Sequence, residues 1–103
     1  MTFRDFLNVL PGDEATNVLL LYFDKDTEQT MGEDLYIRFD DPEKAFDLMI
    51  AEHFADDPVI EITNHFYDVM VTVDRLISKD TMLRWKSAAA ARIYTMHQME
   101  VPV

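Results

Sequence analysis

Residues 17–24 read Asn-Val-Leu-Leu-Leu-Tyr-Phe-Asp. Six consecutive strand-forming apolar side chains predict a β-strand buried on both faces or nearly so. The polar stretch Lys25–Asp34 then turns the chain, with Gly32 expected at positive φ. Beyond it, Leu35, Ile37 and Phe39 alternate with Tyr36 and Arg38, the period of a half-buried strand that hairpins onto the first. Upstream, Phe3, Phe6, Leu7 and Leu10 share one face of a short helix. Thr2 caps it, Asp5 completes a capping box, and Pro11-Gly12 stops it.

Downstream, Asp40-Asp41-Pro42-Glu43 is a helix start: an Asp cap, Pro in the first turn and an acid facing the dipole. Ala45, Phe46, Met49, Ile50, His53 and Phe54 form its apolar stripe, and Asp56-Asp57-Pro58 ends it. Val59–Thr63 reads as a third strand and Phe66–Asp74 as a fourth, with Tyr67, Val69, Val71 and Val73 on one side and a turn at Asn64-His65. Ser78 caps a last helix, Lys79–Met99, whose apolar positions are Met82, Leu83, Trp85, Ala89, Ala90, Ile93 and Met96. The order α-β-β-α-β-β-α is α+β. It predicts a mostly antiparallel four-stranded sheet with helices packed on one face. The strand order stays open, because a crossover through the central helix makes middle strands parallel.

At 103 residues, 49% hydrophobic and 28% charged, the chain is a single folded domain, residues 1–103. It has no cysteine, which excludes disulfides, thiolate catalysis and iron–sulfur clusters. Two glycines cannot make a phosphate-cradling loop. The opening residues show no export signal, and the longest apolar run, Val18–Phe23, falls short of a membrane span. The expected location is therefore cytoplasmic, in the cell of origin or in a host.

Charge is the unusual property. The net charge is −11, which opposes direct binding to nucleic acid or anionic membrane. Residues 1–74 carry 18 acids and four bases, whereas residues 75–103 are net +3. Asp24, Asp26, Glu28, Glu33 and Asp34 surround the first hairpin turn, Asp40, Asp41 and Glu43 sit at the second helix start, and Asp56 and Asp57 follow its end. Carboxylates gathered at loop tips and helix ends present charge as backbone phosphates do, and such a surface occupies the basic groove of a nucleic-acid-binding protein. Solubility and helix dipoles draw acids to the same places, so solvated faces are the competing reading.

Chemistry finds little support. Asp24-Lys25-Asp26-Thr27-Glu28 begins like a calcium loop, but Gln29 and Leu35 stand where that loop needs Gly and Glu. His53, His65 and His97 are too far apart in sequence for a helical zinc motif. Ser78 is better used as a cap and Ser87 lies mid-helix. Neither a catalytic residue, nor a metal site, nor a cofactor is expected. Trp85, between Arg84 and Lys86, fits the apolar stripe better than a nucleotide-stacking role. Of seven methionines, Met49, Met70, Met82 and Met96 are expected as gap-fillers and Met31 and Met99 as exposed.

The opening Thr2-Phe3-Arg4-Asp5-Phe6-Leu7 through Leu10, followed by Val18–Phe23, resembles a pattern in small proteins of bacteriophages and mobile elements. Those begin with a short helix and a β-hairpin with an acidic turn. The likeness covers about the first forty residues and carries no catalytic residue. It implies a phage-borne accessory protein of the anti-CRISPR or anti-restriction kind, several of which imitate DNA. The leading expectation is a non-enzymatic inhibitor that binds a basic, nucleic-acid-binding host protein through its acids. The alternative is a small assembly or scaffold protein, a homodimer or larger, that self-associates through Met82, Trp85, Ala89, Ile93 and Met96.

Overall fold

Burial alternates strictly along residues 18–24: Val18, Leu20, Tyr22 and Asp24 are buried, whereas Leu19, Leu21 and Phe23 are only half so. A strand with this pattern has one face in a core and the other towards solvent. The computed structural model describes residues 1–41, 45–65 and 68–100. Its elements are α1 (Phe3–Asn8), β1 (Thr16–Asp24), β2 (Thr30–Ile37), α2 (Ala45–Glu52), β3 (Val59–His65), β4 (Asp68–Ile77) and α3 (Lys79–Glu100). The fold is α+β in the expected order.

The four strands form one sheet in the order β2-β1-β4-β3. The β1–β2 and β3–β4 pairs are antiparallel, and β1 runs parallel to β4. The sheet is thus mixed. The chain leaves the first hairpin at one edge and re-enters through β3 at the other, so the parallel pair is the first and last strands of the chain, side by side in the middle of the sheet. An irregularity in β4 opposite Tyr22 shifts the register between the Leu21 and Phe23 pairings.

The core lies on one face of this sheet. Val18, Leu20, Tyr22, Leu35, Ile37, Val71 and Val73 meet Phe3, Phe6 and Leu7 of α1, Ile50 and Ala51 of α2 with Phe54 just beyond, and Met82 and Ala89 of α3. Helix α1 is six residues long and depends on its ends. Thr2 Oγ1 accepts from the Asp5 N–H (3.3 Å) while Asp5 Oδ2 accepts from the Thr2 N–H (2.9 Å), the capping box read in the sequence. Those hydrogen bonds hold the Asp5 carboxyl below the usual carboxylate range. Backbone bonds from Phe3 N–H to Asp57 O (3.0 Å) and Arg4 N–H to Ala55 O (2.8 Å) fasten α1 to the turn after α2. Ser78 Oγ accepts from the Thr81 N–H at 3.1 Å and caps α3 as expected.

Several local expectations are corrected. β1 is buried on one face only. β2 starts at Thr30, five residues earlier than read, and Phe39 lies outside it, exposed. Gly32 is a strand residue opposite Leu21, and the positive φ belongs to Glu28, at 59°. The real turn is tighter because Asp24 closes it: its carboxylate accepts from the Thr27 hydroxyl (2.8 Å) and the Asp26 N–H (3.4 Å). Asn64 and His65 are strand residues of β3, and β4 continues to Ile77. Met31, expected to be exposed, packs against the core. Pro42, Glu43 and Lys44 at the second helix start, and Phe66 and Tyr67 of the fourth strand, lie outside the described residues.

Candidate functional site

The outer face of the sheet is built from the alternate residues of the four strands. Strand pairing sets out its rows: Asp34, Leu19, Met70 and Thr63 in one, Gly32, Leu21, Thr72 and Glu61 in the next, then Thr30, Phe23 and Leu76. Apolar side chains therefore dominate the two central strands, interrupted by Thr72, and an acid flanks them on each outer strand, Asp34 on β2 and Glu61 on β3. Asp68 precedes Val69 and belongs to the same outer side. Leu19, Leu21, Phe23 and Met70 are half-buried and Leu76 is 53% exposed, and none of them packs into the core cluster. The buried residues of all three helices belong to the other face. A Cβ at Gly32 would come 3.2 Å from Leu21 Cδ2 and 3.4 Å from Leu19 Cδ1, so these leucines lean over the glycine and widen the apolar floor towards the edge. Among the described strand residues of this face there is no Lys or Arg.

The ten acids expected to bind a partner are divided by the fold. Asp24 is 3% exposed and closes the β1–β2 turn. The Thr27 hydroxyl, with the local backbone and Lys79, holds its carboxyl low. Asp57, 8% exposed, receives the Arg75 guanidinium at 3.1 Å. Both are structural residues, a correction to their expected place on the surface. Three more have cationic partners: Glu33 with Lys86 (2.9 Å), Asp40 with Arg38 (2.7 Å) and Asp56 with Arg4 (3.1 Å). Arg38 lowers the Asp40 carboxyl. Asp41 is half-buried, and Glu43 lies outside the described residues. Asp26, Glu28 and Asp34 stay exposed with no ion-pair partner among the described residues. Glu61 and Asp68 were missed as candidates. Their signal was the alternation Glu61-Ile62-Thr63 and Asp68-Val69-Met70-Val71-Thr72, which puts the acids opposite the valines.

The covered side holds a second polar cluster. Trp85 of α3 packs edge-on to Phe54 (ring centroids 5.6 Å apart) and stacks on His53 at 4.2 Å with an interplanar angle of 3°. The Arg75 guanidinium carbon lies 5.8 Å from the Trp85 ring centroid while its Nη1 reaches Asp57. Beside α3, Lys86 bridges to Glu33, and burial together with the nearby Glu33 carboxylate pushes the Tyr22 hydroxyl up to about 12. Of the five residues in the self-association reading, Met82 and Ala89 are buried in this chain's own core and Trp85 packs against it. Ile93 and Met96 remain half-buried. The outer side of α3 instead exposes Leu83 (61%) and Tyr94 (67%).

Desolvation, and secondarily Arg75, lowers the His53 pKa below its ordinary 6.5, against a small opposite effect of Glu52. The unfolded chain therefore takes up this proton first as pH falls. The stability that His53 contributes is present above pH 6.5 and is lost as pH drops through the lower, folded value. Trp85 is the only tryptophan, and an imidazolium stacked on indole quenches its emission. Tryptophan fluorescence is expected to step down on acidification with a midpoint below 6.5, and the step should vanish in His53→Gln. A midpoint at or above 6.5 would contradict the lowered pKa, and a step that survives the substitution would contradict the stack.

Two concavities open on the surface of the described residues. A cleft of about 260 Å3 is lined by Asn17, Asp34, Tyr36, Asp47 and Asp68, where Asp47 Oδ2 accepts from the Tyr36 N–H at 2.7 Å. A groove of about 470 Å3 runs between α2 and α3 past Met49, His53, Trp85 and Arg92. Among the described residues no group of three His, Cys, Asp or Glu is placed to hold a metal ion, and no helix is long and apolar enough to cross a membrane. Comparisons with protein families, with curated proteins and with solved structures find no match.

Proposed function

We propose that this chain is a non-enzymatic interaction protein that binds a basic, nucleic-acid-binding protein through its acidic surface, and that it acts in the cytoplasm as an inhibitor of the kind phages and mobile elements carry. The observation that supports this reading is the outer sheet face. It combines Asp34, Glu61 and Asp68 without a single Lys or Arg among its described strand residues. The exposed Asp26 and Glu28 extend the same negative region around the hairpin turn. Carboxylates that lack an internal cation keep their field for an approaching partner, over about 8 Å at physiological salt. A surface of one sign captures cationic grooves built for phosphate.

Immobilised protein incubated with a cell lysate is expected to retain basic proteins at low salt, to release them at high salt, and to release them again when duplex DNA is added as competitor. Asp26→Lys, Glu28→Lys and Asp34→Lys together should abolish that capture, because none of the three is needed by the fold. Capture that persists through the triple reversal, or that DNA does not compete, overturns the reading.

A further inference from the structure

We propose that the outer face of the sheet seats an α-helix of the partner, one with an apolar stripe and Lys or Arg on both flanks. The inference rests on the proposed function and adds what charge alone does not give. An electrostatic decoy needs no apolar floor, yet Leu19, Leu21, Phe23, Met70 and Leu76 lie contiguous on the central strands and outside the core. Exposed apolar surface rimmed by polar groups marks an interaction site.

The geometry selects a helix. Asp34 on β2 and Glu61 on β3 stand on the two outer strands, three inter-strand spacings or about 14 Å apart across the sheet and one row, about 7 Å, apart along it. A helix with its side chains is about 10–12 Å across, so one helix fits between the acids. Along the strands, Leu19 to Phe23 covers about 13 Å, and two turns of helix present an i, i+3, i+7 stripe of about 10 Å. A helix laid there gains apolar contact below and an acid on each side. The sheet then becomes covered on both faces, the usual condition of a strand layer with an apolar surface.

Charge also argues against a second copy as the occupant. Two such faces placed together oppose Asp34, Glu61 and Asp68 with their own equivalents. The exposed side of α3 offers Leu83 and Tyr94, but Asp80 interrupts its cations and Lys86 is already held by Glu33 of the same chain.

The test uses three synthetic probes: an 18-residue amphipathic helix of Leu, Ala and Lys, a peptide of the same composition with its leucines dispersed round the helix, and oligolysine of equal charge. At physiological salt the amphipathic probe is expected to bind the full chain at least about tenfold more tightly than the other two. Leu21→Thr and, as an independent exposed variant, Leu76→Thr should each weaken it about tenfold. Both leave the core residues in place, and unchanged urea midpoints check this. Asp34→Lys with Glu61→Lys should weaken the amphipathic probe and oligolysine alike. Equal binding of all three probes, indifferent to Leu21 and Leu76, overturns the seated helix while the electrostatic function stands. Failure of every basic probe overturns both. A dimer by sedimentation that Leu21→Thr dissolves makes a second copy the occupant and overturns the proposal. An amphipathic preference alongside capture that DNA does not compete keeps the seated helix and discards the nucleic-acid-binding partner.

Discussion

Phe54→Ala is expected to remove about 3–5 kcal/mol of stability, the usual cost of deleting a fully buried aromatic ring. Phe54 is 0% exposed, and its ring lies 5.4 Å from Tyr22 and 5.6 Å from Trp85. It stands where the sheet, α2 and α3 meet, so no single neighbour can move to fill the space. Small domains hold a total of only about 5–15 kcal/mol, so the loss is a large share of what holds the fold together. Urea denaturation followed by circular dichroism measures the loss directly. Phe54→Leu, which keeps most of the volume, should cost about 1–2 kcal/mol. A loss under about 1 kcal/mol for the alanine variant would show that the three layers do not converge on this ring.

The second large effect concerns Arg75. Its Nη1 sits 3.1 Å and 3.4 Å from the two Asp57 oxygens, and Asp57 is 8% exposed between α1, to which its carbonyl is bonded, and β4. Arg75→Ala leaves that carboxylate with little water and no cation, and removes the guanidinium from the Trp85 ring. The side chain of Arg75 is itself 37% exposed, which allows solvent to screen part of the loss. A cost of about 1–3 kcal/mol is expected. The pair variant Arg75→Met with Asp57→Leu is expected to recover most of it, because two apolar groups leave nothing unsatisfied. Equal losses in the single and the pair variant would point to packing, not to the stranded charge.

Much of the fold was legible in local chemistry. The caps at Thr2 and Ser78 are short-range devices, and the structure uses both as read. The errors come from tertiary context. The run Val18–Phe23 looks buried throughout because nothing in it is polar, yet only alternate residues face the core. A strand without polar punctuation does not say whether its second face is covered. Gly32 suggested a turn because glycine usually needs one, whereas here its missing side chain admits Leu19 and Leu21. Asp24 takes over as the turn residue by a side-chain bond that leaves no mark in hydropathy.

The candidate site shows the same division. Clustering in sequence singled out Asp24, Glu33, Asp40, Asp56 and Asp57, and the fold uses all five as turn closers or ion-pair partners. Glu61 and Asp68 come from strands that were read only for their apolar side. They join Asp34 because β3 and β4 complete the same sheet as β2, with β2 and β3 at its opposite edges, a consequence of strand order that no local pattern encodes.

That strand order also bears on how the chain reaches its native state. The two hairpins close over short distances, but the seam between β1 and β4 joins Val18 to Val69, about fifty residues apart. Bringing those ends together costs on the order of 3–4 kcal/mol of chain entropy before the parallel ladder returns anything. Until the seam shuts, each half presents a naked backbone ladder along its inner strand. In crowded solution, the first hairpin of one molecule and the second hairpin of another can therefore zip together, so exchange of halves is the misassembly that this strand order invites.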